Sequence, residues 1–434
     1  MSSQKRIDDI IKRDKKIFLT TTRSPYNFVA DRGDGDYAYD ITGKRFIDFT
    51  SFISTYNLGV NGNAEIRRAI KMQVDKLTHS AFTDYYSELP VLFGESLIKM
   101  FPKGFGRMFL SNSGTEANEA AVKFAKIFSK RQYVISFYNS FHGRSAGSLG
   151  LTASKSVQRA HFGPFNGVIH APYPYPYRCP FNHGMYSCGE DSIEYIRNYI
   201  LKKEVKPEEV AAIVFEPIQG EGGYIVPPKE FFKGLKELST ENGILLIDDE
   251  VQSGYMRTGK FLALDNFGIT ADIYTMAKAL GGGLPLGATV TRGSLGDIPQ
   301  GAHASTFGGN HASVAAAYAS LKYVTRNKRK LEIEVRRKSG IAFKRLREMQ
   351  EKYDMIGDVR GLGLMIGIEL VRDRKTKEHA IREREKIIKS AFNKGLLLLT
   401  CGDSTIRIIP PITISETSLM DGLDILEKSI KDVS

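Results

Sequence analysis

The spacing of hydrophobic positions along the chain changes near residue 106 and again near residue 322. Between these points, short apolar runs of strand length end in polar or glycine-rich loops, and segments with helical periodicity follow them. The predicted strands are Arg107–Leu110, Tyr133–Phe137, Val168–Ala171, Ala212–Phe215, Ile244–Ile247, Ile273–Met276 and Ala288–Thr291. Strands that alternate with helices predict an α/β fold, in which a mostly parallel seven-stranded sheet is covered by helices on both faces.

The two ends of the chain have a different pattern, which predicts a smaller α+β domain. Arg6–Phe18 has the apolar spacing of a short amphipathic helix, and Asp36–Phe49 predicts two short strands around a turn. After residue 322, a long charged helix precedes another helix near 377–394 and short strands at Gly395–Thr400 and Thr405–Ile409. We therefore expect an N-terminal segment (1–65) that contributes to the small domain, a large domain (66–321) and a C-terminal small domain (322–434).

The composition is that of a globular protein, with 434 residues, 42% hydrophobic and 25% charged, which excludes a disordered or fibrous chain. A net charge of +12 raises the question of a nucleic-acid partner. Basic and acidic residues alternate in Lys322–Lys352 and Arg372–Lys389, however, which is typical of solvated helix faces. There is no signal-peptide core, and no apolar stretch approaches the ~20 residues of a membrane span. We expect a cytoplasmic protein without nucleic-acid or membrane partners.

Candidate chemistry lies where the predicted strands end, because ligands of parallel sheets bind beyond the carboxyl ends. The first strand is followed by a small-residue turn, Ser111–Ala117, that opens a helix and therefore suits a phosphate group, although a simple N-cap explains the same residues. After the second strand, Phe141 and Arg144 combine a ring that stacks on planar ligands with a cation that holds carboxylates. An ordinary loop is the alternative there.

Acidic residues follow two further strands. Glu216 and Glu221 lie in the glycine-rich sequence EPIQGEGG, and Asp248, Asp249 and Glu250 follow the next strand. A buried carboxylate at a strand end needs a cationic partner, such as a protonated ring nitrogen. A divalent metal is the competing partner for such a cluster, but no histidine is spaced to complete a transition-metal set.

A single lysine, Lys278, follows the sixth apolar strand and precedes the turn Gly281–Gly283. A desolvated lysine at such a position is a candidate Schiff-base amine. Glycine is abundant, with 41 residues, and we expect the strand-end glycines to let the backbone approach a cofactor closely.

The chain resembles the class III (ω-amino-acid) aminotransferases, which have the fold-type I architecture of pyridoxal 5′-phosphate (PLP) enzymes. The segments that carry the resemblance are SGTEANEAAVK, FHGR, FEPIQGEGG, IDDEVQSGYMRTGKF, AKALGGGLPLGA, STFGGN and VRGLGLMIGIEL. They extend over most of the chain, and their combination is far more specific than any one of them. The resemblance is strongest to the 4-aminobutyrate aminotransferase branch, whose archaeal members include amino-acid racemases, and it implies PLP as cofactor.

The resemblance also implies a role for each matching residue. Lys278 would carry the cofactor as a Schiff base and move protons, and Asp249 would pair with its pyridine nitrogen. The other expected cofactor contacts are Ser113, Gly114, Thr115, Phe141, His142, Glu216, Val251, Gln252 and Thr306. The expected substrate contacts are Ile53, Arg144, Glu221 and Arg407.

Several of these implied roles concern charge and assembly. Arg407 would bind the substrate α-carboxylate, Glu221 would neutralise Arg407 when that carboxylate is absent, and Arg144 would bind a distal carboxylate. Thr306 would reach the phosphate in the neighbouring subunit, which implies a homodimer with shared active sites or a dimer of dimers.

The function implied is ping-pong transfer of an amino group from an ω-amino acid, such as 4-aminobutyrate or ornithine, to 2-oxoglutarate. An amino-acid racemase or epimerase is the alternative, since the same Cα deprotonation can precede reprotonation on the opposite face. A PLP-dependent regulator would need a DNA-binding module, for which the residues before Asp36 leave no room. The unusual segment Tyr173–Cys188 offers only a partial zinc set in Cys179, His183 and Cys188, so we expect an exposed or interface loop and no metal.

Overall fold

The computed structural model describes residues 3–19, 21, 26–182 and 187–434, which fall into two units. The large unit is Glu65–Glu332, and the small unit combines Met1–Ala64 with Ile333–Ser434.

A seven-stranded sheet forms the centre of the large unit, in the order β4-β10-β9-β8-β7-β5-β6. Its strands are β4 (Phe105–Ser111), β5 (Tyr133–Phe137), β6 (Val168–Ala171), β7 (Val210–Phe215), β8 (Leu245–Asp249), β9 (Ile273–Met276) and β10 (Gly287–Arg292). Strand β10 is antiparallel to both neighbours, and the other six strands are parallel to one another. The predicted α/β fold with a mostly parallel sheet is therefore confirmed, and the carboxyl ends of six strands lie at one edge.

Helices cover this sheet. Their bounds are α3 (Ala64–Lys76), α4 (Glu88–Ile98), α5 (Gly114–Ser129), α6 (Ala146–Leu151), α7 (Ser156–Arg159), α8 (Cys188–Tyr195), α9 (Lys229–Asn242) and α10 (His311–Lys352). A π-helical segment, Ile196–Glu204, continues α8. All six residues of β7 are buried, because a parallel strand with both faces covered has no solvent side. The apolar stripe of α5, which includes Ala121 and Phe124, is buried as its spacing predicts.

Two four-stranded sheets build the small unit, in the orders β1-β2-β3-β13 and β11-β12-β15-β14. The strands are β1 (Ala30–Asp34), β2 (Tyr37–Asp40), β3 (Arg45–Asp48), β11 (Ile356–Leu362), β12 (Met365–Leu370), β13 (Leu396–Leu397), β14 (Leu399–Cys401) and β15 (Thr405–Ile408). The helices that lie wholly within this unit are α1 (Ser3–Ile17), α2 (Ser51–Ser54), α11 (Ile381–Asn393) and α12 (Glu416–Lys431). Tyr26, Phe46 and Phe392 stack in its core, with ring centroids 4.5 and 4.9 Å apart.

The short helix α2 is a left-handed turn, with φ between 45° and 64° at four consecutive non-glycine residues. Such a conformation costs about 1–2 kcal/mol per residue. The hydroxyl of Ser51 donates a 2.6 Å hydrogen bond to the carbonyl of Ile409, which anchors the turn. Ile53, an expected substrate contact, lies in the turn with 47% of its surface exposed.

The charged stretch after residue 322 forms pairs along one helix, as its alternation predicts. Glu334 accepts from Arg337 at 3.1 Å and lies 3.4 Å from Lys338. No helix in the described ranges is both long and apolar enough to cross a membrane.

Two helical glycines of the small unit predict opposite effects of the same substitution. A Cβ at Gly422 in α12 would overlap the buried ring of Phe49, whereas a Cβ at Gly340 in α10 would meet no atom within 4 Å. We expect Gly422→Ala to lower the free energy of unfolding by about 1–3 kcal/mol and Gly340→Ala to raise it by about 0.5–1 kcal/mol. Urea denaturation of the two variants measures both effects, and equal effects would contradict the packing at Phe49.

Candidate active site

The carboxyl edge of the large-unit sheet is where most of the predicted site residues lie. Ser113 follows β4, Phe141 follows β5, Glu216 follows β7, Asp249 ends β8 and Lys278 follows β9. The topology therefore brings together residues that are far apart in sequence.

The turn after β4 begins helix α5. Ser113 is extended and its Oγ accepts a 3.3 Å hydrogen bond from the Glu116 backbone N–H, while Glu116 Oε2 accepts from the Asn112 N–H at 2.5 Å. Both interactions stabilise the start of the helix. The first N–H groups of a helix lack partners within it, so this end presents donors and a positive dipole to an anion.

Asp249 is held by a buried hydrogen-bond network. Its Oδ2 lies 2.8 Å from Nδ1 of His142 and accepts from Asn118 Nδ2 at 2.7 Å, and its Oδ1 accepts from the Val251 N–H at 3.0 Å. Asn118 in turn accepts a 2.7 Å hydrogen bond from Thr275 Oγ1. Only 4% of the Asp249 surface is exposed. The network fixes the orientation of one carboxylate at the strand edge.

Asn118 and Thr275 are functional candidates that the sequence analysis did not identify. Asn118 also donates to the carbonyl of His142 at 2.8 Å, so it fixes both members of the Asp249–His142 pair. An amide on the buried side of an otherwise alanine-rich helix was the signal available in the sequence.

Glu216 joins two of the strand-end loops. One of its carboxyl oxygens accepts from the Phe141 N–H and the other from the Gly220 N–H, both at 2.9 Å. Burial raises the pKa of this carboxyl group to about 7. The contacts show that Glu216 positions the loop that carries Phe141.

Asp248 and Glu250 belong to a different environment from Asp249, because successive strand residues point to opposite faces of a sheet. Neither carboxyl oxygen of Asp248 has a hydrogen-bond partner in the part of the chain that the structure describes, and burial beside Glu250 raises its pKa well above the ordinary value. Glu250 accepts from the Leu264 N–H at 2.9 Å and from Ser253 at 2.8 Å. The three adjacent acids therefore differ in their hydrogen-bond partners.

Two of the strand-end glycines lie close against side chains of the protein itself. A Cβ at Gly114 would lie 2.8 Å from the Val251 side chain, and a Cβ at Gly220 would lie 2.5 Å from Nε2 of Gln252. At these positions the atoms that exclude a side chain belong to the protein itself. The glycines let the strand-end loops pack against one another.

Lys278 occupies a strained position at the end of β9. Its φ is 48°, in the left-handed region that non-glycine residues rarely adopt. It is half-buried and begins a single 3₁₀ turn, Lys278–Gly281, which is capped by Gly282 with a φ of 59°. Such conformations cost about 1–3 kcal/mol and concentrate at functional sites.

The expected substrate residues are divided between the units. In the large unit, Arg144 is exposed with its guanidinium 5.7 Å from the centre of the Phe141 ring, and Glu221 pairs with Lys155 at 2.9 Å. Thr306 lies in an exposed loop before α10. In the small unit, Arg407 on β15 is buried and donates from Nε to the Thr400 carbonyl at 2.8 Å.

The Tyr173–Cys188 segment is described only in part, and His183 lies outside the described residues. Cys179 and Cys188 are free thiols. Within the described ranges, no group of three or more His, Cys, Asp or Glu residues is arranged to hold a metal ion.

The hydrogen bonds around Asp249 predict that replacing Asn118 weakens the binding of the cofactor as well as the stability of the fold. Asn118→Leu leaves a buried carboxylate with one donor fewer and a buried hydroxyl without its acceptor, so we expect a loss of about 2–4 kcal/mol in unfolding free energy and weaker retention of PLP. Thr275→Val, the matched control, removes only the outer bond and should retain PLP. Denaturation and cofactor absorbance after dialysis measure the two effects. Equal PLP retention in both variants would contradict the assignment.

The raised pKa of Glu250 predicts that the free energy of unfolding depends on pH. Burial raises its pKa from 4.5 to about 7, so its stabilising contribution is complete below about pH 4.5 and is lost as the pH rises through about 7. Glu250→Gln does not ionise; its one side-chain oxygen accepts from the Leu264 N–H, and its amide nitrogen donates to the Ser253 hydroxyl in place of the second acceptor oxygen. We expect the difference in unfolding free energy between this variant and wild type to be about 1–3 kcal/mol more favourable to the variant at pH 8 than at pH 5. Chemical denaturation at both pH values, with exposed Glu230→Gln as control, measures the difference; a pH-independent difference would refute it.

Comparison with known proteins agrees with this geometry. The family model for aminotransferase class-III matches residues 19–430. The chain is 40% identical to the leucine/methionine racemase of Thermococcus litoralis, covering 99% of this chain and 96% of that protein. It is 35% identical to a probable 4-aminobutyrate aminotransferase of Bacillus subtilis, covering 93% of each.

Solved structures resemble the fold over the same length. The taurine:2-oxoglutarate aminotransferase of Bifidobacterium kashiwanohense, in complex with PLP and glutamate, is 27% identical and superimposes with a TM-score of 0.90 over 98% of each chain. Together with the family match and the relatives above 30% identity, this likeness leads to one conclusion. The chain belongs to the class III aminotransferases, a family of PLP-dependent enzymes.

Proposed function

We propose that the enzyme transfers an amino group from an ω-amino acid, such as 4-aminobutyrate or ornithine, to 2-oxoglutarate in two half-reactions. The observation that carries this proposal is the placement of a fixed carboxylate, Asp249, and a strained lysine, Lys278, on adjacent strand ends. The aminotransferases among its relatives support the choice of reaction.

The residues at the strand edge fit PLP. The start of α5 supplies donors and a positive dipole for a phosphate, Asp249 supplies an oriented anion for a ring nitrogen, and Lys278 supplies an amine for a carbonyl carbon. An unpartnered polar atom also lies in this network, since Nε2 of His142 has no hydrogen-bond partner among the described residues. The set matches the three polar ends of the cofactor.

Bound PLP supplies a protonated ring that accepts the electrons left when a substrate carbon loses a proton. The protein residues do the rest. Asp249, held by Asn118 and His142, would keep a proton on the ring nitrogen by electrostatic attraction. The Lys278 amine would hold the cofactor and would move the proton between carbon atoms. Phe141, whose N–H is fixed by Glu216, would stack on the ring.

The remaining cofactor contacts proposed from the family motifs are those of the strand-end loops. They are Ser113, Gly114, Thr115, Val251, Gln252 and, from a neighbouring subunit of a homodimer, Thr306. Val251 packs against Gly114 and Gln252 accepts a 2.9 Å hydrogen bond from Tyr224, so both are fixed by the protein before any ligand binds.

Carboxylate recognition is assigned to two arginines. We propose that Arg407 binds the α-carboxylate and Arg144 the distal carboxylate, since a guanidinium fork matches a carboxylate in two parallel hydrogen bonds. Glu221 would neutralise Arg407 when the amino donor has no α-carboxylate. Ile53 would line the substrate entrance.

Racemisation of an amino acid is the second candidate function. A specific observation favours it, because the chain is 40% identical to a leucine/methionine racemase over nearly its whole length. The residues proposed for the cofactor serve either reaction, so they do not discriminate between them.

The two functions predict different requirements for an acceptor. We expect the purified enzyme to consume 4-aminobutyrate or ornithine only when 2-oxoglutarate is present and to form glutamate in equal amount. Chiral chromatography of single enantiomers of leucine, methionine, alanine and serine, incubated without any 2-oxo acid, measures the alternative. Racemisation under those conditions, without glutamate formation in the first assay, would overturn the transaminase proposal.

Lys278→Ala is the control for both assays. It should lack either activity and the visible absorbance of covalently held cofactor, because no other amine would take the place of Lys278. Lys229→Ala, an exposed lysine at the start of α9, should behave as wild type.

A further inference from the structure

Glu119, on helix α5, holds the start of the neighbouring helix α6. Its Oε1 accepts three hydrogen bonds, from the Gly147 N–H at 3.0 Å, the Ser148 N–H at 3.2 Å and the Ser145 hydroxyl at 2.5 Å. The first N–H groups of a helix have no acceptor within that helix, and Ser145, the residue before α6, does not cap them with its own side chain. The carboxylate of Glu119 therefore takes the place of the usual cap.

Both serines at the start of α6 also bind the hydroxyl group of Thr115. Thr115 Oγ1 lies 2.8 Å from Ser145 Oγ and forms a second hydrogen bond with Ser148 Oγ, and the two serine oxygens are 3.2 Å apart. A Cβ at Gly143 would overlap the Thr115 side chain, so the backbone before α6 passes directly against it. The side chain of Thr115 is therefore held by the segment that Glu119 anchors.

Thr115 belongs to the start of α5, the part of the chain to which the phosphate group is assigned above. The N–H groups of Gly114 and Thr115 are the first two of this helix and have no acceptor within it. Hydrogen bonds to an anion depend on the distance and the direction of such donors. An interaction that fixes Thr115 therefore fixes donors for the phosphate as well.

We infer that Glu119 is a positioning residue for the phosphate group of PLP and acts through the serines at the start of α6 and through Thr115. This inference deepens the proposed function and rests on its assignment of the phosphate to the start of α5. The role belongs to the acceptor oxygen of Glu119 and not to its charge. All three hydrogen bonds end on one oxygen, and a glutamine side chain has the same acceptor.

Binding of PLP and of pyridoxal, which lacks the phosphate group, tests this inference on enzyme from which the cofactor has been removed by dialysis. The visible absorbance of the covalently held ligand gives both dissociation constants. We expect Glu119→Met to weaken PLP about tenfold, the lower end of what a hydrogen bond to a charged group contributes, and to change pyridoxal by less than about twofold. Glu119→Gln should bind both ligands as wild type does. Glu230→Met, at an exposed position of α9, is the matched surface control.

A second comparison tests whether the effect passes through Thr115. Thr115→Val keeps the shape of the side chain and removes the hydroxyl group that the serines bind. In that background, Glu119→Met should change the ratio of the two dissociation constants by less than about twofold, because the coupling between the two residues is already lost.

Three results would each overturn the inference. The first is an unchanged ratio of the PLP and pyridoxal dissociation constants in Glu119→Met, which equal weakening of both ligands also gives. The second is a loss of PLP affinity in Glu119→Gln as large as that in Glu119→Met. The third is an undiminished effect of Glu119→Met in the Thr115→Val background.

Failure of the proposed function is recognised separately, in the wild type. If wild type binds pyridoxal as tightly as PLP, the assignment of the phosphate to the start of α5 fails, and the inference fails with it. If wild type prefers PLP but transfers no amino group from 4-aminobutyrate or ornithine, only the proposed reaction fails. The binding ratios then still decide the role of Glu119, because they are measured without any substrate.

Discussion

The structure depends on the parallel direction of six strands in one sheet. Because the strands are parallel, their carboxyl ends meet at one edge, and so do the loops that follow them. Asn118 and Asp249 are 131 residues apart in sequence, yet they form a 2.7 Å hydrogen bond there. The antiparallel strand β10 lies between β4 and β9, so these two strands run in the same direction. The start of α5, which follows β4, therefore lies at the same edge of the sheet as Lys278, which follows β9.

The strand-end loops support one another as well as the site. Glu216 holds the Phe141 loop, and the glycines of two loops make room for Val251 and Gln252. The residues expected to contact the cofactor are thus fixed by protein contacts first. Such preorganisation is what orientation in catalysis requires, since misplacement of reacting groups by about 1 Å lowers the rate.

The acidic side chains on the two faces of the sheet have different surroundings. The carboxyl group of Asp249 is surrounded by hydrogen-bond donors. Among the described residues Asp248 has no such donors, and burial raises its pKa well above the ordinary value. At the edge of the sheet, Lys155 and Glu221 form an ion pair of 2.9 Å.

The sequence by itself determined the fold class, the seven strands of the large sheet and the positions of Asp249 and Lys278, because apolar runs that end in polar residues are local signals. The tertiary structure decided what lies beside those residues. Asn118 of helix α5 pairs with Asp249, and Lys155 pairs with Glu221, which lies 66 residues later in the sequence. Neither pairing has a local signal, since each arises only when the sheet order places separate loops side by side.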